Sequence, residues 1–118
     1  MRDHRRLEAF RFAHEAAIST YRATQDFPKN EQFGLTAQMR RAAVSVPSNI
    51  VEGAARESKA DYARFLDIAY GSAKELEYQV ELARDLGFLK AREFAALYDA
   101  CSRSARVLNG LVRSLRAR

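Results

Sequence analysis

The chain has 118 residues, a length that suits one domain, residues 1–118, with a single core. Hydrophobic residues make up 47% and charged residues 30%, which excludes a disordered chain. The longest uncharged apolar stretch, residues 42–51, is broken by Ser45, Pro47, Ser48 and Asn49, and falls far short of the ~20 residues of a membrane helix. The net charge is +5, and the segment from Cys101 to Arg118 holds all of it: five arginines and no acid.

Ala, Leu, Arg and Glu dominate, and two prolines and five glycines are the only strong breakers, so the chain reads as helical throughout. The first helix is expected from about Leu7 to Asp26, with Leu7, Phe10, Ala13, Ala17 and Tyr21 as its apolar stripe. Thr24 continues the spacing but is polar, and Phe27-Pro28 ends the helix. Gly34-Leu35-Thr36 opens the second helix, about Leu35 to Ala55, with Leu35, Met39, Ala42 or Ala43, Val46, Ile50 and Ala54 inward. Pro47 could split it, but the apolar spacing stays in phase across the proline, which favours one kinked helix. Gly53 and Arg56-Glu57 close it.

Ser58 to Asp61 has the form of a capping box, with Asp for the commoner Glu. The third helix, Ser58 to Leu86, carries Tyr62, Leu66, Ala69, Ala73, Leu76, Val80 and Ala83 at alternating spacings of four and three, the seam of a helix in a bundle. At its ordinary rise it would span about 43 Å. Gly87 ends it as a C-cap. The fourth helix, Ala91 to Leu115, places Phe94, Leu97, Cys101, Ala105, Leu108, Val112 and Leu115 inward. Four helices with three short connections imply an all-α, antiparallel up-down four-helix bundle.

No catalytic or metal constellation emerges. His4 and His14 lack further ligands, Cys101 falls in the apolar phase of its helix, and the glycines are scattered rather than gathered in a phosphate loop. No metal or cofactor is expected. The single cysteine and the interruption of any signal-like apolar run by Arg11, His14 and Glu15 suggest a cytoplasmic location.

Two groups of residues stand out. Arg2, Arg5 and Arg6 near the start, with Arg103, Arg106, Arg113 and Arg116 near the end, would share one end of an up-down bundle. Segregated positive charge is a footprint for RNA or DNA, and equally the solvated face of a helix. The second group surrounds Pro47: Ser45, Asn49 and Glu52 at i, i+4 and i+7, with Gly71-Ser72 and Glu75 opposite. Glycine and serine there would let two backbones approach closely. The polar groups read either as partners for the Ala43 carbonyl that Pro47 frees, with Arg41 and Glu75 as a buried ion pair, or as a ligand pocket.

Phe27-Pro28, Glu31, Gly34-Leu35, Gln38, Arg40-Arg41-Ala42, Ser45, Pro47, Asn49-Ile50 and Glu52-Gly53, followed by Phe65-Leu66, Ala69, Gly71-Ser72 and Glu75-Leu76, resemble the signature of the four-helix bundle proteins also called 23S rRNA intervening-sequence proteins. The likeness spans nearly the whole chain. Lys90 departs from it, where a Ser or Thr cap is more usual. The resemblance implies an up-down bundle, homopentameric rings, and no catalytic residues. It also implies kinship with accessory proteins of diversity-generating retroelements, whose basic pentamer contacts a reverse transcriptase and nucleic acid. The reading that follows is a non-enzymatic, oligomeric protein that associates with nucleic acid. The alternative is a protein–protein scaffold with no nucleic-acid binding of its own.

Overall fold

A computed structural model describes residues 2–117, so Arg118 lies outside the described residues. All regular structure among them is helical. A 3-10 turn at His4–Arg6 leads into α1 (Glu8–Thr24), and a second at Lys29–Glu31 leads into α2 (Leu35–Ala54); α3 (Lys59–Asp85) and α4 (Ala91–Arg116) follow. α1 and α3 each pack on both α2 and α4, and no Cα atoms of the diagonal pairs come within 8 Å among the described residues. The molecule measures 44 × 23 × 19 Å, so α3 alone reaches nearly its full length.

The core falls into two clusters. One joins Ala9 and Ala13 of α1, Val46, Ile50 and Ala54 of α2, Tyr62 to Ala73 of α3, and Ala105 to Leu115 of α4. The other joins Ala16 and Ala17, Leu35 to Ala43, Leu76 to Ala83, and Leu97 with Cys101. Early residues of α1 and α3 thus meet late residues of α2 and α4. The expected seams of α2 and α3 are buried in full.

The first helix is rotated from its expected face. Its buried residues are Ala9, Ala13, Ala16, Ala17, Thr20 and Thr24, whereas Tyr21 is 43% exposed. Two threonines can line a core because each hydroxyl donates to the carbonyl four residues back, Thr20 to Ala16 and Thr24 to Thr20, both at 2.8 Å. The stripe therefore continues through polar residues that hydropathy spacing passes over.

The ends follow local chemistry. Ser58 Oγ accepts from the Asp61 amide at 2.9 Å, as a cap should, while the Asp61 carboxylate turns to Arg64 at 3.9 Å. Lys90 supplies no oxygen, but Glu93 reaches back to accept from the Lys90 amide at 2.8 Å, so this helix start is only half as exposed as its sequence suggests. After α3, Gly87 takes φ +82°, and the amides of Gly87 and Phe88 donate to Arg84 and Ala83, each at 2.9 Å. That is the Schellman arrangement, and it requires a residue at ease in the left-handed region.

Pro47 lies inside α2, which runs as one helix and not two. Gly53 does not end it. A Cβ there would sit 2.9 Å from Phe65 Cβ and 3.3 Å from the Tyr62 carbonyl oxygen, so this is where α2 and α3 approach closely. The expected notch at Gly71 is open instead: a Cβ there would meet nothing within 4 Å, and the same holds at Gly110.

Gly53→Ala should therefore lower stability by about 1–3 kcal/mol through overpacking, despite its better helix propensity. Gly110→Ala should raise it by up to ~1 kcal/mol. Thermal melts of the two variants check this, and equal shifts would deny the tight contact.

Candidate nucleic-acid interface

Arg2, Arg5 and Arg6 sit on and just before the first 3-10 turn, whose N-cap Asp3 accepts from the Arg5 amide at 3.1 Å. Arg2 is held hard. Its guanidinium donates to the Arg56 carbonyl at 2.8 Å and lies over the Tyr62 ring at 4.1 Å, and its amide donates to Ala54 at 3.3 Å. These contacts tie the start of the chain to the α2–α3 corner. Burial pushes the Tyr62 hydroxyl pKa up, and the Arg2 charge pulls it partly back.

The remaining arginines divide by partner. Arg5 lies 3.8 Å from Asp3, and Arg103 3.2 Å from Asp99 while facing the Phe12 ring at 5.7 Å. Arg116 grips both oxygens of Asp67, at 2.8 and 2.7 Å, and so bridges α4 to α3. Arg106 donates to the Ser102 hydroxyl at 2.9 Å, which leaves its charge uncompensated. Arg6 and Arg113 are exposed and have no partner among the described residues. Arg56 and Arg64 were not singled out by sequence. Both lie over one aromatic ring, Phe65, at 4.9 and 4.7 Å, and so join the same corner. The signal was their proximity to an aromatic, which spacing along a chain does not reveal.

The polar group around Pro47 is only partly assembled. Ser45 and Ser72 share a hydrogen bond of 2.8 Å between α2 and α3. The Asn49 amide donates to the Ser45 carbonyl at 2.8 Å and to its hydroxyl at 3.0 Å. No side-chain hydrogen bond to the Ala43 carbonyl is present among the described residues; the Asn49 amide serves Ser45 instead. Arg41 and Glu75 do not form a buried ion pair. Both are exposed and unpaired on the rim of a shallow notch of about 370 Å³ beside Ser45 and Ser72. Long side chains at that surface lose less by staying hydrated than by pairing. Glu52 turns away to Arg56 at 3.9 Å.

The interior also holds chemistry that the apolar pattern concealed. Glu77 is buried to 6% exposure and bonded to Lys74 at 2.6 Å, which raises the Lys74 pKa. Cys101 is 1% exposed, and burial pushes its thiol from 9.0 up to about 12, with the nearby Thr20 hydroxyl pulling the other way. A neutral, enclosed thiol is a packing group and a poor nucleophile. No three metal-ligating side chains converge among the described residues, and no helix is long and apolar enough to cross a membrane.

Four packed helices with charge displayed at the surface define an all-α four-helix protein. The family model described as 23S rRNA-intervening sequence protein matches residues 5–110, and the chain belongs to that family. Its fold is similar to a crystal structure of a protein with unknown function from the S23 ribosomal protein family of Bacteroides thetaiotaomicron. The TM-score is 0.81 and the identity 21%, over 89% of this chain and 95% of that one. No curated protein matches the chain.

Two measurements probe this geometry. Single and double Ser45→Ala and Ser72→Ala variants should show a coupling of about 0.5–1.5 kcal/mol in a denaturation cycle, and none if the hydroxyls act independently. For Cys101, the unfolded chain releases its proton first because the folded pKa is the higher one. Its contribution is thus complete below about pH 9 and lost as pH rises toward 12. Stability should fall by about 2 kcal/mol between about pH 8 and about pH 10.5 on its account. Tyr62 and Lys74, also raised, add in the same direction. In Cys101→Ala the decline should be shallower by that amount.

Proposed function

We propose that the chain is a non-enzymatic, oligomeric protein of the cytoplasm that associates with the backbone of RNA or DNA through its arginine surface. The observation that carries this reading is the uncompensated charge of Arg6, Arg106 and Arg113, set against the acid-free stretch from Cys101 to Ala117. Arg5, Arg103 and Arg116 each face a carboxylate, whereas Arg2 is held by a carbonyl and a ring and is not free to move. We read the bundle as antiparallel and up-down, with α2 bent at Pro47. The meeting of early with late residues in both core clusters supports the antiparallel part, and the missing proline amide supports the bend. In that arrangement Arg6 and Arg113 face solvent at one end. Guanidinium suits phosphate oxygens, and the family's name links it to 23S rRNA.

Self-association, as the pentamer implied by the family resemblance, would multiply this field. Ile18, Tyr21 and Val44 support it, because they expose an apolar groove of about 400 Å³ between α1 and α2. The same groove favours the second reading, a scaffold whose ring receives a protein such as a reverse transcriptase. The two readings part on the arginines, which matter only to the first.

Fluorescence anisotropy with short RNA and DNA strands across a salt series tests the proposal. Binding should weaken steeply with salt. Replacing Arg6, Arg106 and Arg113 by Gln should reduce the logarithmic salt slope by about 2. Absence of binding at low salt would overturn the reading.

A further inference from the structure

Between the end of α1 and the start of α2 lies a pocket of about 210 Å³, lined by Thr24, Gln25, Phe27, Pro28, Lys29, Gln32, Thr36 and Arg40. Two cations line it and no carboxylate does. Of the nearest acids, Glu31 is occupied, accepting from the Leu35 amide at 3.0 Å, and Asp26 is exposed outside the wall. Arg40 is pre-organised. Its Nε donates to Thr24 Oγ1 at 2.9 Å, one terminal nitrogen donates to the Tyr21 carbonyl at 3.3 Å, and its plane lies 4.6 Å over the Tyr21 ring. Three contacts fix the fork, and the other terminal nitrogen, Nη1, has no partner among the described residues. Lys29 is exposed and unpaired.

Thr36 stands in the same wall. It is 7% exposed, and its hydroxyl oxygen is buried without a hydrogen-bond partner. Thr20 and Thr24 satisfy their hydroxyls on the carbonyl four residues back, and Thr36 does not. That hydroxyl is enclosed, so the groups the pocket offers to an oxyanion are the two cations. One residue beyond Gln32, Phe33 is 90% exposed, the most exposed large apolar side chain among the described residues. A free aromatic face next in sequence to the wall of a cationic pocket suits single-stranded nucleic acid, with a base stacked and a phosphate paired.

We propose that this loop is a second contact for single-stranded RNA or DNA, in which Arg40 and Lys29 hold a phosphodiester and Phe33 stacks a base. The proposal rests on the nucleic-acid reading above and adds a site that its arginine tail does not include. The chain has no tryptophan, so Phe33→Trp places a single reporter at the platform. Titrating this variant with oligo(dU) and oligo(U), while anisotropy follows the labelled strand, should quench the tryptophan in step with binding. Inorganic phosphate at matched ionic strength should not quench it.

Phe33→Ala and Lys29→Glu should each weaken strand binding roughly ten-fold, the weight of one stacked base or a reversed phosphate contact. Both positions are exposed, so an unchanged circular dichroism melt should accompany the loss. Arg40→Gln is the harsher variant and is read beside them. If strands bind while the tryptophan signal and the Phe33→Ala and Lys29→Glu affinities stay unchanged, this inference falls and the arginine surface stands. If no strand binds by anisotropy at low salt, both fall. Quenching by inorganic phosphate alone would make the pocket a free-anion site, and a spectral shift with protein concentration alone would assign Phe33 to contacts between copies. Either result would overturn the inference.

Discussion

Where α2 meets α3, the two helices come so close that position 53 has no room for a Cβ: Phe65 Cβ would stand 2.9 Å away. Close approach at that point fixes the height of one helix against the other. It brings Ser45 level with Ser72 within hydrogen-bond reach, and it sets Tyr62 and Phe65 at the corner where the chain turns. Arg2 then finds an aromatic face and two carbonyl oxygens in one place, and the start of the chain is drawn onto the bundle. The arginine surface at this corner thus depends on an uncharged contact. A small shift of α3 along α2 would take Tyr62 from under Arg2 and Phe65 from under Arg56 and Arg64.

Formal charge overstates what this surface offers to a polyanion. An arginine that already grips a carboxylate must release it, or share it, before a phosphate gains anything. Arg116 makes the clearest case, because its two short bonds to Asp67 serve to hold α4 against α3. Such an exposed pair contributes little to stability, yet it still removes one cation from the electrostatic field. The effective surface is therefore narrower than the row of arginines, and it centres on side chains whose only contacts are hydroxyls or water. Charge carried by Arg6, Arg106 and Arg113 is free to act at the range set by salt.

The four helices and the seams of α2, α3 and α4 were legible in the sequence because bulky apolar residues recur there at helical spacing. α1 was less so, since its inner face is alanine and threonine: Tyr21, the larger apolar residue, turns outward beneath Arg40, while Thr20 and Thr24 go inward by bonding their own helix. Periodicity read from hydropathy cannot see a hydroxyl that satisfies itself. Glu77 escaped for a related reason, as its burial depends on Lys74 closing over it. The glycines were read in the wrong order of importance. Gly71 lies beside a serine and looks like a notch, but only the packing of Phe65 shows that Gly53 is the one under steric demand. Arg41 and Glu75 are close in space, yet both sit at the rim of a notch, and sequence carries no measure of that exposure.

The loop between α1 and α2 escaped notice as a site because it was read as punctuation. Its residues serve the turn first: Phe27 packs against Phe88 at 5.4 Å and closes that end of the bundle, and Glu31 caps α2. Those duties explain Phe27, Pro28 and Glu31 without remainder. They leave Lys29 and the free edge of Arg40, which line one pocket, and the exposed Phe33 next to Gln32 of its wall, unexplained. α1 separates this loop from the Arg6 surface by about 25 Å, the length of its 17 residues. At physiological salt, fields from two exposed regions that far apart do not add. Each must therefore hold a phosphate by its own local geometry, and a strand that engaged both would gain from their linkage rather than from a shared field.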